Sequence, residues 1–158
     1  MGAHALVGRE TEFAELEAGL RRAVEHGGAF LITGPPGIGK TSLLNAVAAE
    51  ARSRGYNSLT VTGLECEAQL PYAGLHQLLQ TVMVSVDKLA PPQKAALLTA
   101  LGMTVGPAPD VFLVGLATLN LIDEAAAEKP TALLTDDAQW LDGSTVMVQY
   151  MIVDRGQL

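Results

Sequence analysis

Residues 34–41 read Gly-Pro-Pro-Gly-Ile-Gly-Lys-Thr, set between a short apolar run, Ala29 to Thr33, and a longer stretch from Thr41 to Arg54. Glycine and proline break both regular structures, so the chain must turn sharply here. The run upstream is too short for a helix and predicts a buried strand. Downstream, Leu44, Val47, Ala48 and Ala51 recur at helical spacing and Gly55 ends the pattern, which predicts a helix.

Gly34, Gly39, Lys40 and Thr41 satisfy G-x-x-x-x-G-K-[ST] in the strand–turn–helix context that gives this motif its meaning. The glycines let the backbone curl so that its N–H groups converge on phosphate oxygens, and the helix N-terminus adds its positive dipole end. Pro35 and Pro36 stiffen the entry to the loop. Gly37, Ile38 and Ser42 complete the cradle, Lys40 reaches the terminal phosphates, and the Thr41 hydroxyl is a magnesium ligand. Further on, Ala132, Leu133 and Leu134 predict a strand that delivers Asp136 to the magnesium shell, with Asp137 beside it to polarise an attacking water. The Asn-Lys-x-Asp stretch of guanine-specific sites does not occur, so the expected ligand is ATP with Mg²⁺.

The remaining pattern alternates helix and strand. Phe13, Leu16, Leu20 and Val24 predict a helix from Glu10 to His26, and Asn57 to Thr62 a strand. Leu75, Leu78, Leu79, Val82 and Val86 predict one helix stripe that Pro91-Pro92 interrupts, with a shorter helix through Leu101. Asp110 is a predicted N-cap for a nearly all-apolar helix to about Glu128, which must be covered on two sides. Val146 to Val153 has β-branched character, yet a parallel neighbour needs a crossover of about a dozen residues, and Asp142 to Val146 leaves no room for one. A helix is therefore expected there. The fold class is α/β with a parallel sheet and right-handed crossovers.

Bulk properties narrow the function. With 158 residues and 49% apolar content the chain forms one globular domain. Seventeen acidic against ten basic residues give a net charge of -7, which opposes a spread nucleic-acid surface, so no direct DNA binding is expected. The longest apolar run, Val111 to Ile122, is too short to span a bilayer, and no membrane role is expected. The single cysteine, Cys66, forms no internal disulfide and reads as a buried small hydrophobe in a cytoplasmic protein.

Four blocks occur in order: LVGRETEFAEL (Leu6 to Leu16), GPPGIGKTSLL, LPYAGLHQLL (Leu70 to Leu79) and LLTDDAQWLD (Leu133 to Asp142). Together they resemble the N-terminal ATP-binding domain of large LuxR-family transcriptional regulators, in the signal-transducing (STAND) branch of AAA-like P-loop ATPases. The resemblance implies a three-layer P-loop sandwich, with Val7, Gly8 and Arg9 lying against the adenine and Gln139 and Trp140 near the nucleotide. His76 matches a family block without a catalytic role. In the family a further helix and a strand with a polar sensor residue follow the acidic pair; that strand lies between the phosphate-loop strand and the acidic strand. A helical lid comes later. By this comparison the chain is an incomplete member with an open slot in its sheet. The division expected is 1–28 for the N-terminal helix region, 29–145 for the nucleotide-binding core and 146–158 for an atypical tail. ATP hydrolysis is expected to be weak or absent. Self-association, or regulator domains outside the chain, would supply partners. The rival readings are a P-loop small-molecule phosphotransferase and a non-functional interaction remnant.

Overall fold

The computed structural model describes residues 8–155. Helix α1 spans Glu10–His26 and stops at Gly27, whose φ of 65° suits glycine. Helix α2 (Lys40–Ser53) follows the glycine-rich loop, and strand β1 (Asn57–Thr62) follows the turn at Gly55. Then come α3 (Ala73–Leu79), α4 (Pro91–Ala100), α5 (Val111–Glu128), strand β2 (Thr131–Asp136) and α6 (Gly143–Arg155). Asp110 caps α5 as its position predicts, its Oδ1 accepting from the amides of Phe112 (2.8 Å) and Leu113 (3.1 Å).

β1 and β2 pair in parallel, from Asn57 opposite Thr131 to Thr62 opposite Asp136. Alternation of side chains along β2 divides the core. Leu134 and Ala132 face Val47 and Ala48 of α2, with Phe13, Leu16 and Leu20 of α1 packed outside. Leu133 joins Leu59 and Val61 against Leu75, Leu78 and Leu79 of α3, Leu97 of α4, Val114 and Leu121 of α5, and Val148 of α6. The layers are thus α1–α2, sheet, and α3–α6. The apolar α5 is covered by α4 on one side and α6 on another, with Met151 of α6 lying where a Cβ at Gly115 would stand.

Several expectations need correction. Ala29–Thr33 is not a buried strand: residues 27–35 form no regular structure, and Leu31 is 88% exposed. A strand exists only through a ladder partner. Among the described residues the sheet has two strands, and none stands beside this run. Instead the Phe30 ring rests on α1 at Gly19, filling the place of a Cβ. The stripe from Leu75 to Val86 keeps one buried side but not one helix; α3 ends at Leu79 and a 3-10 segment, Met83–Lys88, continues it. Thr81, Val82, Val84 and Val86 are β-branched, which weakens helix there. Cys66 is exposed rather than buried, carried on a 3-10 turn between two glutamates. Val24 is also exposed. Residues 143–155 are helical, as the missing crossover requires.

One polar knot ties the second layer together. Asp142, 3% exposed, caps α6 by accepting from the Thr145 amide (2.9 Å). The same carboxylate accepts from the amides of Tyr72 (2.8 Å) and Gly74 (3.1 Å) and from the Thr145 hydroxyl (2.6 Å), which itself accepts from the Leu75 amide (2.9 Å). Burial pushes the Asp142 carboxyl up, but these hydrogen bonds outweigh it and hold it below the usual carboxylate range. A depressed folded value means that the contribution is complete above the unfolded value, about pH 4, and is lost as pH falls through the folded value. Asp142→Asn is therefore expected to destabilise the fold at neutral pH by about 2 kcal/mol. The difference from wild type, followed by urea unfolding, should shrink as pH falls below the ordinary carboxylate range and the wild-type carboxyl protonates.

Candidate nucleotide-binding site

The glycine-rich loop owes its shape to backbone that only glycine adopts easily. Gly37 and Gly39 have φ values of 79° and 93°, with nothing near the place of a Cβ. The curl is closed by the Ile38 amide donating to the Pro35 carbonyl (3.4 Å). Gly39 is the N-cap of α2 and has no side chain to satisfy the first helical amides. The amides of Lys40, Thr41 and Ser42 thus have neither an intrahelical acceptor nor a side-chain cap, the arrangement that attracts an anion.

Two cations brace this loop. Lys40 Nζ donates to the carbonyls of Gly34 (2.9 Å) and Pro35 (3.2 Å). Arg9 donates from Nη2 to the Ile38 carbonyl (2.8 Å) and from Nη1 to Glu12 (2.7 Å), joining the start of α1 to the loop. Arg9 belongs to the set expected near the adenine; here its guanidinium is engaged by the loop itself. Gly8 lies just before it, exposed, with its amide donating to Glu10 (3.2 Å). Val7 lies outside the described residues.

β2 delivers the acidic pair. Asp136 ends the strand half-buried, and its Oδ1 accepts from the Asp137 amide (3.0 Å). Asp137 is exposed and sits in the left-handed region (φ 47°), with its Oδ1 accepting from Gln139 Nε2 (3.0 Å). No hydrogen bond joins the acidic pair to the loop among the described residues. The two are related through α2, whose Val47 and Ala48 pack on Leu134. The donor chemistry fits the expected ligand: amides and an ammonium for phosphate, a Thr41 hydroxyl and an Asp136 carboxylate for magnesium. Among the described residues no group of three or more His, Cys, Asp and Glu could hold a metal ion. Magnesium keeps waters and phosphate oxygens alongside one or two protein oxygens.

Trp140, 39% exposed, lies on the turn after the acidic pair, and His76 is exposed on α3. The features not found from sequence are Gly63, Gly74 and Asp142, which surround that turn. Asp142 was legible in part, since an acid before Gly-Ser-Thr and an apolar run is an N-cap signal. Among the described residues no helix is long and apolar enough to cross a membrane.

A family model described as AAA ATPase domain matches residues 5–158. No curated protein and no solved structure matches.

Removing the Arg9 brace tests its role. Arg9→Ala leaves the Ile38 carbonyl without its donor, and exchange of the Ile38 amide, which closes the curl on Pro35, should quicken roughly fivefold, the equivalent of about 1 kcal/mol. Arg9→Lys, with a point charge in place of a fork, should recover only part of that protection.

Proposed function

Because this chain belongs to the AAA ATPase domain family, whose members generally bind ATP with Mg²⁺, we propose that it is an ATP–Mg²⁺-binding switch domain of a transcriptional regulator of the large LuxR type. The observation that carries the nucleotide half of this reading is the uncapped α2 N-terminus, wrapped by a glycine loop and faced by Lys40. The regulator half is supported by the four sequence blocks and their order. The reading places residues 29–145 in the nucleotide-binding core, residues 1–28 beside it and residues 146–158 as a tail, in a cytoplasmic protein.

In this reading the residues from Gly34 to Ser42 bind the phosphates through their amides. Lys40 exchanges its bonds to two carbonyls of the loop for bonds to phosphate oxygens, while Arg9 keeps the loop in its curl. Thr41 and Asp136 hold the magnesium, which would supply charge neutralisation at the phosphates. Val7, Gly8 and Arg9 flank the base. Asp137 orients water, but its carboxylate is already bonded to Gln139 and open to solvent, so it stands in no water-excluding pocket. Binding, with slow or no turnover, is the activity this arrangement favours. A ligand that prefers one conformation then shifts the population of states, which is what a regulator needs.

Titration calorimetry tests the site. Lys40→Ala removes a charge-assisted contact worth about 1.5–3 kcal/mol, so ATP affinity should fall roughly tenfold to a hundredfold. Equal affinity for both proteins would refute the phosphate-loop assignment. Steady hydrolysis should stay below about 1 s⁻¹, the low end for ordinary enzymes, in a phosphate-release assay.

A further inference from the structure

The turn that carries the acidic pair is gripped from two sides by backbone, and both grips depend on glycine. Gly63 follows β1 directly. Its amide donates to the Asp136 carbonyl (3.0 Å), extending the parallel ladder one step past the strand ends. A Cβ there would run into the Asp137 carbonyl oxygen and would stand 2.9 Å from both the Leu141 amide nitrogen and the Trp140 carbonyl carbon. Gly63 is buried, and the three atoms nearest the place of its Cβ are all backbone. Its φ is not among the positive values, so close approach, rather than a left-handed conformation, is what excludes a side chain. The turn itself is tight: the Trp140 amide donates to the Asp137 carbonyl (2.9 Å) and the Leu141 amide to Ala138 (3.2 Å). From the other side Gly74 presses on Leu141 and Thr145, 2.9 Å from where its Cβ would stand, and its amide is bound by Asp142.

We infer that Gly63 is a positioning residue for the acidic pair: by lending its amide to Asp136 and its missing side chain to Asp137, it sets where both carboxylates stand. The inference rests on the nucleotide reading above for its functional consequence, though not for its geometry. The carbonyl that a new Cβ would displace belongs to Asp137, which already occupies a conformation disfavoured for a residue with a side chain. The turn has little slack with which to absorb the intrusion. Displacement would move the Asp136 and Asp137 carboxylates and leave the glycine-rich loop, on another segment of the chain, in place.

That separation defines the test. In Gly63→Ala, ATP affinity in EDTA should stay within about twofold of wild type, whereas the gain on adding Mg²⁺ should fall roughly tenfold. Gly102→Ala serves as control, because an alanine at φ 69° strains the backbone far along the chain without meeting any neighbouring atom. It should lower stability but keep the full magnesium gain. A Gly63→Ala protein that keeps that gain overturns the proposal, as does one that loses affinity equally with and without the metal. Amide exchange read without any ligand separates this result from the nucleotide reading. The Trp140 and Leu141 amides should exchange about tenfold faster in Gly63→Ala, and unchanged exchange overturns the placement even if wild type binds no ATP. Should Gly63→Ala fail to fold, the double variant Gly63→Ala, Asp137→Gly decides. Glycine at 137 lets that carbonyl swing aside, so regained folding supports the contact, and continued failure overturns the claim that the Asp137 carbonyl is what a Cβ at 63 displaces.

Discussion

The carboxylate of Asp142 is the interaction on which the second half of the molecule depends. It joins backbone at Tyr72 to the start of α6 across a separation of 70 residues. Its compensation comes from neutral donors, three amides and a hydroxyl, and not from a cation. Burying an anion this way is costly unless its lone pairs are filled, and here they are. The return is placement: Asp142 pins the far end of the acidic turn, the β1–β2 ladder pins the near end, and the residues between have no independent position. The left-handed Asp137 is tolerable only because both ends are held.

What could be read from the sequence was what depends on near neighbours. The helix boundaries at Gly27 and Gly55, the Asp110 cap, the strands at Asn57–Thr62 and Thr131–Asp136, and the curled loop each follow from residues within a few positions. The break after Leu79 was also available in the β-branched residues beyond it, which the apolar stripe obscured. A stripe specifies a buried side, not an unbroken helix. Cys66 stands between Glu65 and Glu67, and those charges kept its segment at the surface against the usual preference of cysteine.

What could not be read depends on distant partners. Ala29–Thr33 has the composition of a buried strand, yet no residue within it specifies whether a ladder partner exists. The expected three-layer arrangement survives because α2 reaches β2 directly through Val47, Ala48 and Leu134. The layer is therefore held by helix packing, and Phe30 on Gly19 stands in for the ladder that the segment lacks. The same limit hid Gly63 and Gly74. A glycine needed for close approach looks, in sequence, like a glycine needed for a turn; only the partner backbone tells them apart.

The glycines of this chain thus serve the candidate site in opposite ways. Gly37 and Gly39 have open space around them and positive φ, so they shape the curl that leads into the uncapped start of α2. Gly63 and Gly74 have crowded surroundings and shape nothing of their own; they let another segment come close. In the proposed reading the first kind prepares a surface for a ligand, and the second prepares rigid ground under the residues that would meet its metal. Both reduce what binding must reorganise, since a loop already curled and a turn already pinned lose little freedom when a ligand arrives. Lys40 is the element left to move, because its two bonds go to carbonyls of its own loop and can be exchanged one for one. Under the proposed reading, most of the site stands ready before the ligand comes, and the change on binding is concentrated in one side chain and whatever the loop and turn are attached to.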